Sequence, residues 1–433
     1  MNTKLKRQLG VPGAVVLGLG SMVGTGVFVA LGLGAGVAGA GVLVAIVLAG
    51  GLALCNALSS AQLAAAHPVA GGTYEYGHQY LTPALGAVAG VTFLVAKSAS
   101  AATAALGLAA YGLSWLGVNE PGFRIGVGII VLLGVMSIVL EGLRRTTAVN
   151  TVIVSVTLVG LAAFVAAAGL LGSSQPEEPV ISATSEGVEL GWIALAQATA
   201  LAFVAYTGYG RIATCAEEVR EPARTIPRAV FVTVFVTATL YFLVAAAALV
   251  AVGSEGFHAA TLGSAAPLEA IARQIGTPPV WTLLIAVTAI TAMFGVLLNL
   301  VFGLSRVALA MGRRGHLPRV FAKVDDTGTT PAPAVLLVTA VIAILIAVGS
   351  IQHAWSLSAV TVLIYYGLTN AAALRLPPEA RRFPRGLAWI GLLGCFGLSF
   401  TLEPIYVLVG FGFVAAALLL HVATASGRKK PTE

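Results

Sequence analysis

The chain carries very little charge. Only 9% of its 433 residues are Asp, Glu, Lys or Arg, whereas 58% are hydrophobic. Soluble domains, by comparison, contain about 25% charged residues. The mean hydropathy of +0.95 agrees with this imbalance. A composition of this kind excludes a soluble globular protein and a disordered chain, and it indicates a protein that lies in a lipid bilayer.

Cysteine, histidine and acidic residues are scarce where a catalytic or metal site would need them. The three cysteines, Cys55, Cys215 and Cys395, fall in three different apolar stretches without the spacing of metal ligands. The six histidines lie in loops or near the ends of apolar stretches, and no Asp or Glu lies in the interior of one. We therefore expect no cofactor and no metal. The absence of clustered acid–base groups also argues against a membrane enzyme.

Apolar stretches long enough to cross a bilayer, about 20 residues each, recur along the whole chain. They predict an all-α polytopic membrane protein, with residues 1–433 forming a single integral membrane domain. Basic residues before the first stretch resemble a signal peptide, but the stretch continues without a cleavage region, so we expect an uncleaved first helix. The twelve predicted transmembrane helices are 11–37, 40–66, 83–115, 124–141, 148–172, 191–216, 227–252, 278–312, 333–350, 355–375, 386–402 and 404–424.

The basic residues fit this count of helices. With the N-terminus in the cytoplasm, three of the 24 Lys and Arg residues lie within predicted spans and two on the outer side, which leaves nineteen on the inner side. This distribution follows the positive-inside rule, so both termini are expected in the cytoplasm. The net charge of +7 is therefore a topology signal and does not indicate a nucleic-acid partner. The five basic residues that do not lie on the inner side are Lys97, Arg211 and Arg306, within predicted spans, and Arg124 and Arg273, on the outer side.

The first predicted helix contains four glycines within nine residues: Gly18, Gly20, Gly24 and Gly26. Each glycine costs a helix about 1 kcal/mol relative to alanine. In hydrocarbon, a helix breaks only where the freed backbone groups line a cavity or are buried in protein. A break here would present N–H groups of one half-helix and C=O groups of the other, which suits a small zwitterion. The alternative is that these glycines only let membrane helices pack closely.

A second glycine-interrupted segment, Phe203 to Gly210, lies near the middle of predicted helix 6. Helices 1 and 6 are five spans apart, so equivalent helices of two five-helix halves cross the membrane in opposite senses. Interrupted helices at equivalent positions of inverted halves point to a transporter binding site. We predict a 5+5 inverted repeat with discontinuous helices 1 and 6. Repeat one covers about 11–172, repeat two about 191–375, and the accessory helices 11 and 12 about 386–424.

Four segments are similar to motifs of one superfamily of permeases. They are Gly-Ser-Met-Val-Gly-Thr-Gly-Val-Phe at 20–28, Pro-Val-Ala-Gly-Gly-Thr-Tyr-Glu-Tyr at 68–76, Ala-Glu-Glu-Val-Arg-Glu-Pro-Ala-Arg-Thr-Ile-Pro-Arg-Ala at 216–229 and Ser-Arg-Val-Ala-Leu-Ala-Met-Gly-Arg-Arg-Gly-His-Leu-Pro at 305–318. In their order and spacing the chain resembles the amino acid–polyamine–organocation (APC) superfamily, which has the leucine-transporter type of fold. The resemblance implies secondary active transport of amino acids by alternating access.

The resemblance also implies where the substrate binds. In the superfamily, the substrate carboxylate meets backbone N–H groups at the break in helix 1, and the amino group meets carbonyl groups of helices 1 and 6, so each charge faces one dipole end. In this chain the carboxylate side would be Val23, Gly24, Thr25 and Gly26, and the carbonyl side Ser21 and Met22. Helix 6 would contribute Phe203, Val204, Ala205, Tyr206 and Gly208.

Two departures from the superfamily pattern narrow the expected substrate. Many relatives have a bulky aromatic residue at the position of Val204 and an acidic residue at that of Gly210. Without a carboxylate in the spans, a cationic side chain of the substrate would lack a partner inside the membrane. We therefore expect a neutral amino acid, small or apolar, and not arginine, lysine or a polyamine.

Lys97 lies about fourteen residues into predicted helix 3, near the middle of the membrane at about 1.5 Å per residue. A lysine at this depth costs at least about 2.5–3.5 kcal/mol on insertion scales, so it is functional by default. In several proton-coupled relatives a lysine in helix 5 takes the place of a sodium ion, and here Thr157 stands at that position. We predict that Lys97 carries the coupling proton. The alternative is a structural lysine that caps backbone carbonyls or faces a water-filled crevice.

These observations together predict a secondary transporter of neutral amino acids in the cell membrane. The expected partners are an amino acid substrate, a proton and membrane lipid, with proton symport as the coupling. An amino acid exchanger without proton coupling remains an alternative, as does a sensor or subunit that does not transport.

Overall fold

The computed structural model describes residues 10–67, 71–118, 120–141, 147–172, 191–214, 219–324 and 330–426. Predictions for the cytoplasmic termini, for Cys215, and for residues 68–70 and 216–218 of the superfamily motifs fall outside these ranges.

The described chain consists almost entirely of helices. In chain order they are α1 (Val11–Met22), α2 (Leu31–Ala38), α3 (Val42–Ala66), α4 (Thr73–Tyr76), α5 (Pro83–Trp115), α6 (Pro121–Leu140), α7 (Thr147–Leu171), α8 (Trp192–Tyr206), α9 (Gly210–Thr214), α10 (Pro222–Ser264), α11 (Pro267–Gln274), α12 (Pro279–Arg313), α13 (Ala332–Ala347), α14 (Ile351–Leu374), α15 (Arg385–Ser399) and α16 (Pro404–Ser426).

Several of these helices begin at a proline, because a residue at the first helical position has no intrahelical use for its N–H group. Helices α5, α6, α12 and α16 all start in this way. At the start of α5, the side chain of Thr82 also accepts a hydrogen bond from the Leu85 N–H at 3.2 Å. These signals set the helix starts near the predicted boundaries, since they depend only on local sequence.

Within the described residues, nine helical stretches are long and apolar enough to cross a membrane. The first, Val11–Ala66, contains α1, α2 and α3, and the shorter apolar helices α13 and α15 are further candidates. The prediction of an all-helical membrane protein is confirmed. The count of twelve crossings and the 5+5 inverted repeat stay predictions.

Predicted helix 7, at 227–252, is part of the longer helix α10. The backbone leaves helical geometry at Gly253, where φ is 69° and ψ is 178°. Glycine adopts a positive φ without the steric cost that a side chain adds. The predicted span therefore ends where α10 kinks, and the residues after the kink lead into α11.

Helix α5 forms the centre of the bundle and packs against α12 and α14. Its middle is rich in alanines that are fully buried, such as Ala99, Ala101 and Ala102. Small side chains let membrane helices approach closely. The hydroxyl groups of Ser100 on α5 and Ser358 on α14 form a hydrogen bond of 2.8 Å. This packing buries the side chain of Lys97, one turn earlier on α5.

The outer helices expose large apolar side chains. Ile130 on α6 is 69% exposed, Leu408 on α16 is 71% exposed and Leu170 on α7 is 77% exposed. Single exposed apolar residues are ordinary, but whole helix faces of them on a soluble protein would be a large exposed patch. On a chain of this composition such faces are suited to contact lipid.

Candidate functional site

Predicted helix 1, residues 11–37, is interrupted at its glycine-rich segment. Helix α1 ends at Met22, and Val23 has an extended backbone with φ −79° and ψ 94°. The chain then enters a π-helical turn, Gly26–Ala30, before α2 begins. The carbonyl oxygen of Gly24 accepts from the N–H groups of Val27 at 3.1 Å and Phe28 at 3.3 Å. The predicted interruption is therefore present, and its centre is Val23 to Thr25.

Predicted helix 6, residues 191–216, is interrupted over a shorter stretch than predicted helix 1. Helix α8 ends at Tyr206, residues Thr207–Tyr209 form one 3-10 turn, and α9 starts at Gly210. A 3-10 turn inside a longer helix marks a change in the hydrogen-bond ladder and is frequent at functional hinges. At this turn the N–H group of Thr207 donates to the carbonyl oxygen of Val204.

The two interruptions lie against each other. A Cβ atom added to Gly208 would overlap the carbonyl oxygen of Ser21 and lie 2.7 Å from the backbone nitrogen of Met22. A Cβ atom added to Gly26 would overlap the Cβ atom of Ala205. Glycine is therefore needed for the close approach of helices 1 and 6. Close packing and interruption, which the sequence presents as alternatives, coexist at these positions.

Tyr241 on α10 joins both broken helices. Its hydroxyl lies 2.7 Å from the carbonyl oxygen of Met22 and 3.0 Å from that of Ala205, and these two acceptors share its single proton. Tyr241 is fully buried. Sequence reasoning missed it, because a tyrosine within an apolar span is indistinguishable from a packed aromatic residue.

Lys97 reaches the interruption of helix 6 from α5. Its Nζ atom donates to the Thr207 hydroxyl at 2.6 Å, and only 7% of the residue is exposed. Ion pairs of the described side chains include Arg224–Glu221, Arg273–Glu269 and Arg314–Glu75, none of which involves Lys97. Within the described chain, no carboxylate lies within ion-pair distance of this lysine.

Two threonines of the predicted site have different surroundings. Thr157 on α7 donates to the carbonyl oxygen of Ile153 at 2.7 Å, as a threonine in a helix often does. Thr25, on the predicted carboxylate side, is buried, and its hydroxyl has no hydrogen-bond partner among the described residues. A buried polar atom without a partner costs free energy, so the Thr25 hydroxyl is a candidate ligand for a polar substrate.

Aromatic residues surround the helix 6 turn. The Phe203 and Tyr366 rings meet edge to face with centroids 5.8 Å apart, and Tyr209 lies 5.3 Å from Tyr366. The Tyr366 hydroxyl donates to the Thr207 carbonyl oxygen at 3.2 Å. The Tyr206 hydroxyl, in contrast, donates to the Ile46 carbonyl on α3 at 3.0 Å. Tyr206 therefore contributes its backbone to the interruption, while its side chain holds the neighbouring helix.

A histidine cluster forms at another part of the bundle, where the residues between α3 and α5 meet the end of α12 and α16. It consists of His78, His316 and His421. The His316 ring centroid lies 5.2 Å from that of His78 and 5.4 Å from that of His421. The His316 Nδ1 atom is 2.9 Å from the Tyr74 hydroxyl, and its Nε2 atom is 3.2 Å from His421 Nδ1. These three histidines are far apart along the chain, so the sequence did not predict that their rings lie close together.

An ion pair between Arg314 and Glu75 lies beside this cluster, and the pKa of His78 is lowered. Arg314 donates two hydrogen bonds to the carboxylate of Glu75, one of them 2.9 Å long. The hydrogen bond with Glu75 raises the pKa of Arg314. Burial lowers the pKa of His78, and the charge of nearby Arg314 acts in the same direction. Neutral imidazole is therefore favoured at His78.

Comparison with known proteins gives consistent results. The model of the amino acid permease family matches residues 9–426. An uncharacterized transporter of Mycobacterium tuberculosis is 39% identical over 98% of this chain and 92% of its own length. The branched-chain amino acid permease BcaP of Bacillus subtilis is 25% identical over 96% of this chain and 90% of its own length. Among solved structures, a mutant manganese transporter of Eremococcus coleocola has a similar fold, with a TM-score of 0.60 at 14% identity over 96% of this chain and 93% of that one.

Proposed function

We propose, from the premise that the chain belongs to the amino acid permease family of the APC superfamily, that it carries a neutral amino acid across the cell membrane by alternating access. Membership of the family makes the chain a multi-pass membrane transporter and not an enzyme. The amino acid, the coupling and the mechanism are the proposed part.

The contact between the two helix interruptions is the observation that carries the proposal. At the break, the N–H group of Val23 donates to the Leu19 carbonyl oxygen at 2.8 Å, so it is not available to a substrate. The N–H groups that would meet the carboxylate are those of Gly24, Thr25 and Gly26, beside the buried Thr25 hydroxyl. The carbonyl groups of Met22 and Ala205 meet at the hydroxyl of Tyr241. Donors on one side and acceptors on the other fit the carboxylate and the ammonium group of an amino acid.

The chemistry of the site favours a neutral side chain. The residues that would line it are Val204, Ala205 and Phe203, together with the backbone of glycines. Relatives in the family are named for branched-chain amino acids, methylthioribose and cationic amino acids, so their names alone do not decide the substrate. A cationic side chain would lie near Lys97 without a described carboxylate to balance it. A branched-chain or other apolar amino acid avoids this repulsion.

Lys97 is our candidate for the coupling residue. Its ammonium group is buried and is held by the hydroxyl of Thr207, on the interruption of helix 6. A proton that leaves or joins Lys97 changes the charge beside the helix that must move in alternating access. The same hydrogen bond favours a second candidate function, exchange of amino acids without protons, in which Lys97 serves only to tie α5 to helix 6.

Transport by the purified protein in liposomes tests these proposals. Labelled amino acids, each offered alone, are followed with no gradient, with pH gradients of either polarity, and with or without sodium. We expect uptake or exchange of neutral amino acids, and gradient-driven accumulation that Lys97→Gln abolishes while counterflow exchange persists. The exposed lysine Lys323 provides the matched control, because Lys323→Gln should retain accumulation.

The other outcomes have definite meanings. Accumulation by the Lys97→Gln protein in response to a pH gradient would assign Lys97 a structural role. Exchange without any response to pH in the unmodified protein would establish the second function. Absence of both uptake and exchange for every amino acid would support a sensor or subunit that does not transport.

A further inference from the structure

The hydroxyl of Thr207 stands between the buried lysine and a backbone carbonyl of the proposed site. It accepts a hydrogen bond from Lys97 Nζ at 2.6 Å and donates one to the Val204 carbonyl oxygen at 2.7 Å. The same carbonyl oxygen also accepts from the Thr207 N–H group. Both acceptor positions of the Val204 carbonyl are therefore filled by one residue.

The arrangement follows from the number of protons on each group. A charged lysine has three donors and no acceptor, and a threonine hydroxyl has one proton to donate. While Lys97 is charged, the Thr207 hydroxyl cannot donate to it and must direct its proton to Val204. A neutral lysine has a lone pair, so the hydroxyl proton can then turn towards Nζ without movement of the heavy atoms. That rotation frees one acceptor position on the Val204 carbonyl.

We propose that Thr207 is a positioning residue that makes the substrate's ammonium group and the proton on Lys97 exclude each other. The inference rests on the proposed function, since it assumes that Val204 offers its carbonyl to the substrate. When the ammonium group donates to Val204, the Thr207 hydroxyl turns to donate to Nζ. The proton of Lys97 leaves to water, and Nζ keeps the electron pair that accepts the hydroxyl proton. Substrate binding thus releases a proton.

The charged and titratable groups near Lys97 on α12 and α14 have other contacts. The Tyr366 hydroxyl on α14 holds the Thr207 carbonyl oxygen at 3.2 Å, so the backbone stays fixed while the hydroxyl turns. Tyr365 on α14 lies against Phe93 of α5, one turn from Lys97. On α12 the charged side chain Arg306 lies over the Phe302 ring at 4.4 Å.

The remaining titratable groups on elements packed against α5 lie elsewhere. On α4, the turn that follows it and α16, these groups include Glu75, which is paired with Arg314, and Tyr74, whose hydroxyl bonds His316. The others are Tyr76, His78, Tyr80, His421 and Tyr406, whose ring meets that of His353. On α6 the side chain of Arg124 donates to the Gly263 carbonyl oxygen at 2.8 Å. No carboxylate among the described residues forms an ion pair with Lys97.

The sign of the coupling follows from this competition. If substrate and proton exclude each other at one site, they occupy the carrier in alternation. A gradient of protons then drives the amino acid in the opposite direction to the proton, as an exchange. This sign differs from the symport expected from the sequence.

Proton counting during substrate binding tests the inference. The purified full-length protein is titrated with an equimolar mixture of L-amino acids that have uncharged side chains, by calorimetry in buffers of different ionisation enthalpy. We expect release of up to about one proton per molecule bound, with affinity that falls by up to about tenfold for each unit of lower pH. Thr207→Val and Lys97→Gln should both lose the proton release, and Thr207→Ser should keep it.

Thr199→Val is the matched control. Thr199, on α8, is likewise a buried threonine, and among the described residues its hydroxyl donates to the Leu195 carbonyl oxygen at 2.7 Å. Its variant should therefore release protons as the unmodified protein does. Uptake of protons, or no proton exchange, on binding to the unmodified protein would overturn the inference. Proton release that survives in Thr207→Val would overturn it as well. Failure of the unmodified protein to bind any of the mixture would instead overturn the proposed function.

Discussion

The hydroxyl of Tyr241 lies 2.7 Å from the carbonyl oxygen of Met22, the last residue of α1. Carbonyl groups freed by a break in a membrane helix have no water to bond with in hydrocarbon, so they need a partner from the protein. Tyr241 supplies that partner for Met22 and also lies 3.0 Å from the Ala205 carbonyl oxygen. One side chain thereby stabilises both interruptions.

Tyr241→Phe should therefore destabilise the protein and alter substrate affinity. Loss of the hydroxyl leaves two buried carbonyl groups without this donor, which we expect to lower the free energy of unfolding by about 1–3 kcal/mol. Thermal unfolding in detergent and substrate binding measure the two effects. Tyr111→Phe is the matched control, because Tyr111 donates to the Phe28 carbonyl at 2.9 Å, beyond the break. Equal affinities for substrate in both variants would contradict a role of Tyr241 in the site.

Gly26 packs closely against Ala205, and its backbone N–H group lies in the proposed binding site. A pair of substitutions separates the effect on packing from the effect on binding. Gly26→Ala should lower stability by about 1–3 kcal/mol through overpacking, since the added Cβ would overlap that of Ala205. Adding Ala205→Gly should recover most of the stability but not the substrate affinity, because the new methyl group remains beside the N–H groups of the break. Gly134→Ala, which meets nothing within 4 Å, is the control. Recovery of affinity together with stability would leave Gly26 a packing role only.

The proposed site should select neutral amino acids. Unlabelled alanine, leucine and other uncharged amino acids should compete with a labelled substrate, whereas arginine and agmatine should not. The reason is electrostatic: the described residues offer a cation, Lys97, and no carboxylate at this depth. Competition binding measures the selectivity. Tight binding of arginine would require an acidic partner and would refute the neutral substrate class.

Acid should destabilise the fold through His78. Burial lowers the pKa of His78 in the folded protein, so the contribution is present above the unfolded value of about 6.5 and is lost as pH falls through the folded value. The groups that face it are His316, His421, Glu75 and Arg314. The Tyr74 carbonyl oxygen accepts a hydrogen bond from His78 Nδ1 at 2.7 Å, and the Tyr74 hydroxyl bonds with His316.

The measurement is the melting temperature as a function of pH. His78→Gln should reduce the fall of the melting temperature between about pH 7 and pH 5, because it removes a group that titrates in this interval. His353→Gln, at an exposed position at the start of α14, is the control and should keep the full slope. An unchanged slope in His78→Gln would show that the acid sensitivity arises elsewhere.

The sequence by itself determined the class of protein, the position of helices such as α5 and the position of the first interruption. Helix α5 occupies the residues predicted for it, 83–115, because the length of an apolar stretch and a proline at its start are local properties. The break after Met22 was predictable for the same reason, since the density of glycines acts on the helix that contains them. The family resemblance rested on short motifs that can be read along the chain.

Only the tertiary structure decided which side chains meet. Lys97 and Thr207 are 110 residues apart, and Tyr241 and Met22 are 219 apart, so no pattern along the chain links them. A lysine, a threonine or a tyrosine in an apolar span has the same sequence signature whether it faces a helix break or a packed neighbour. The direction of each side chain follows from how the helices cross and rotate, and that is fixed by close packing over the whole bundle.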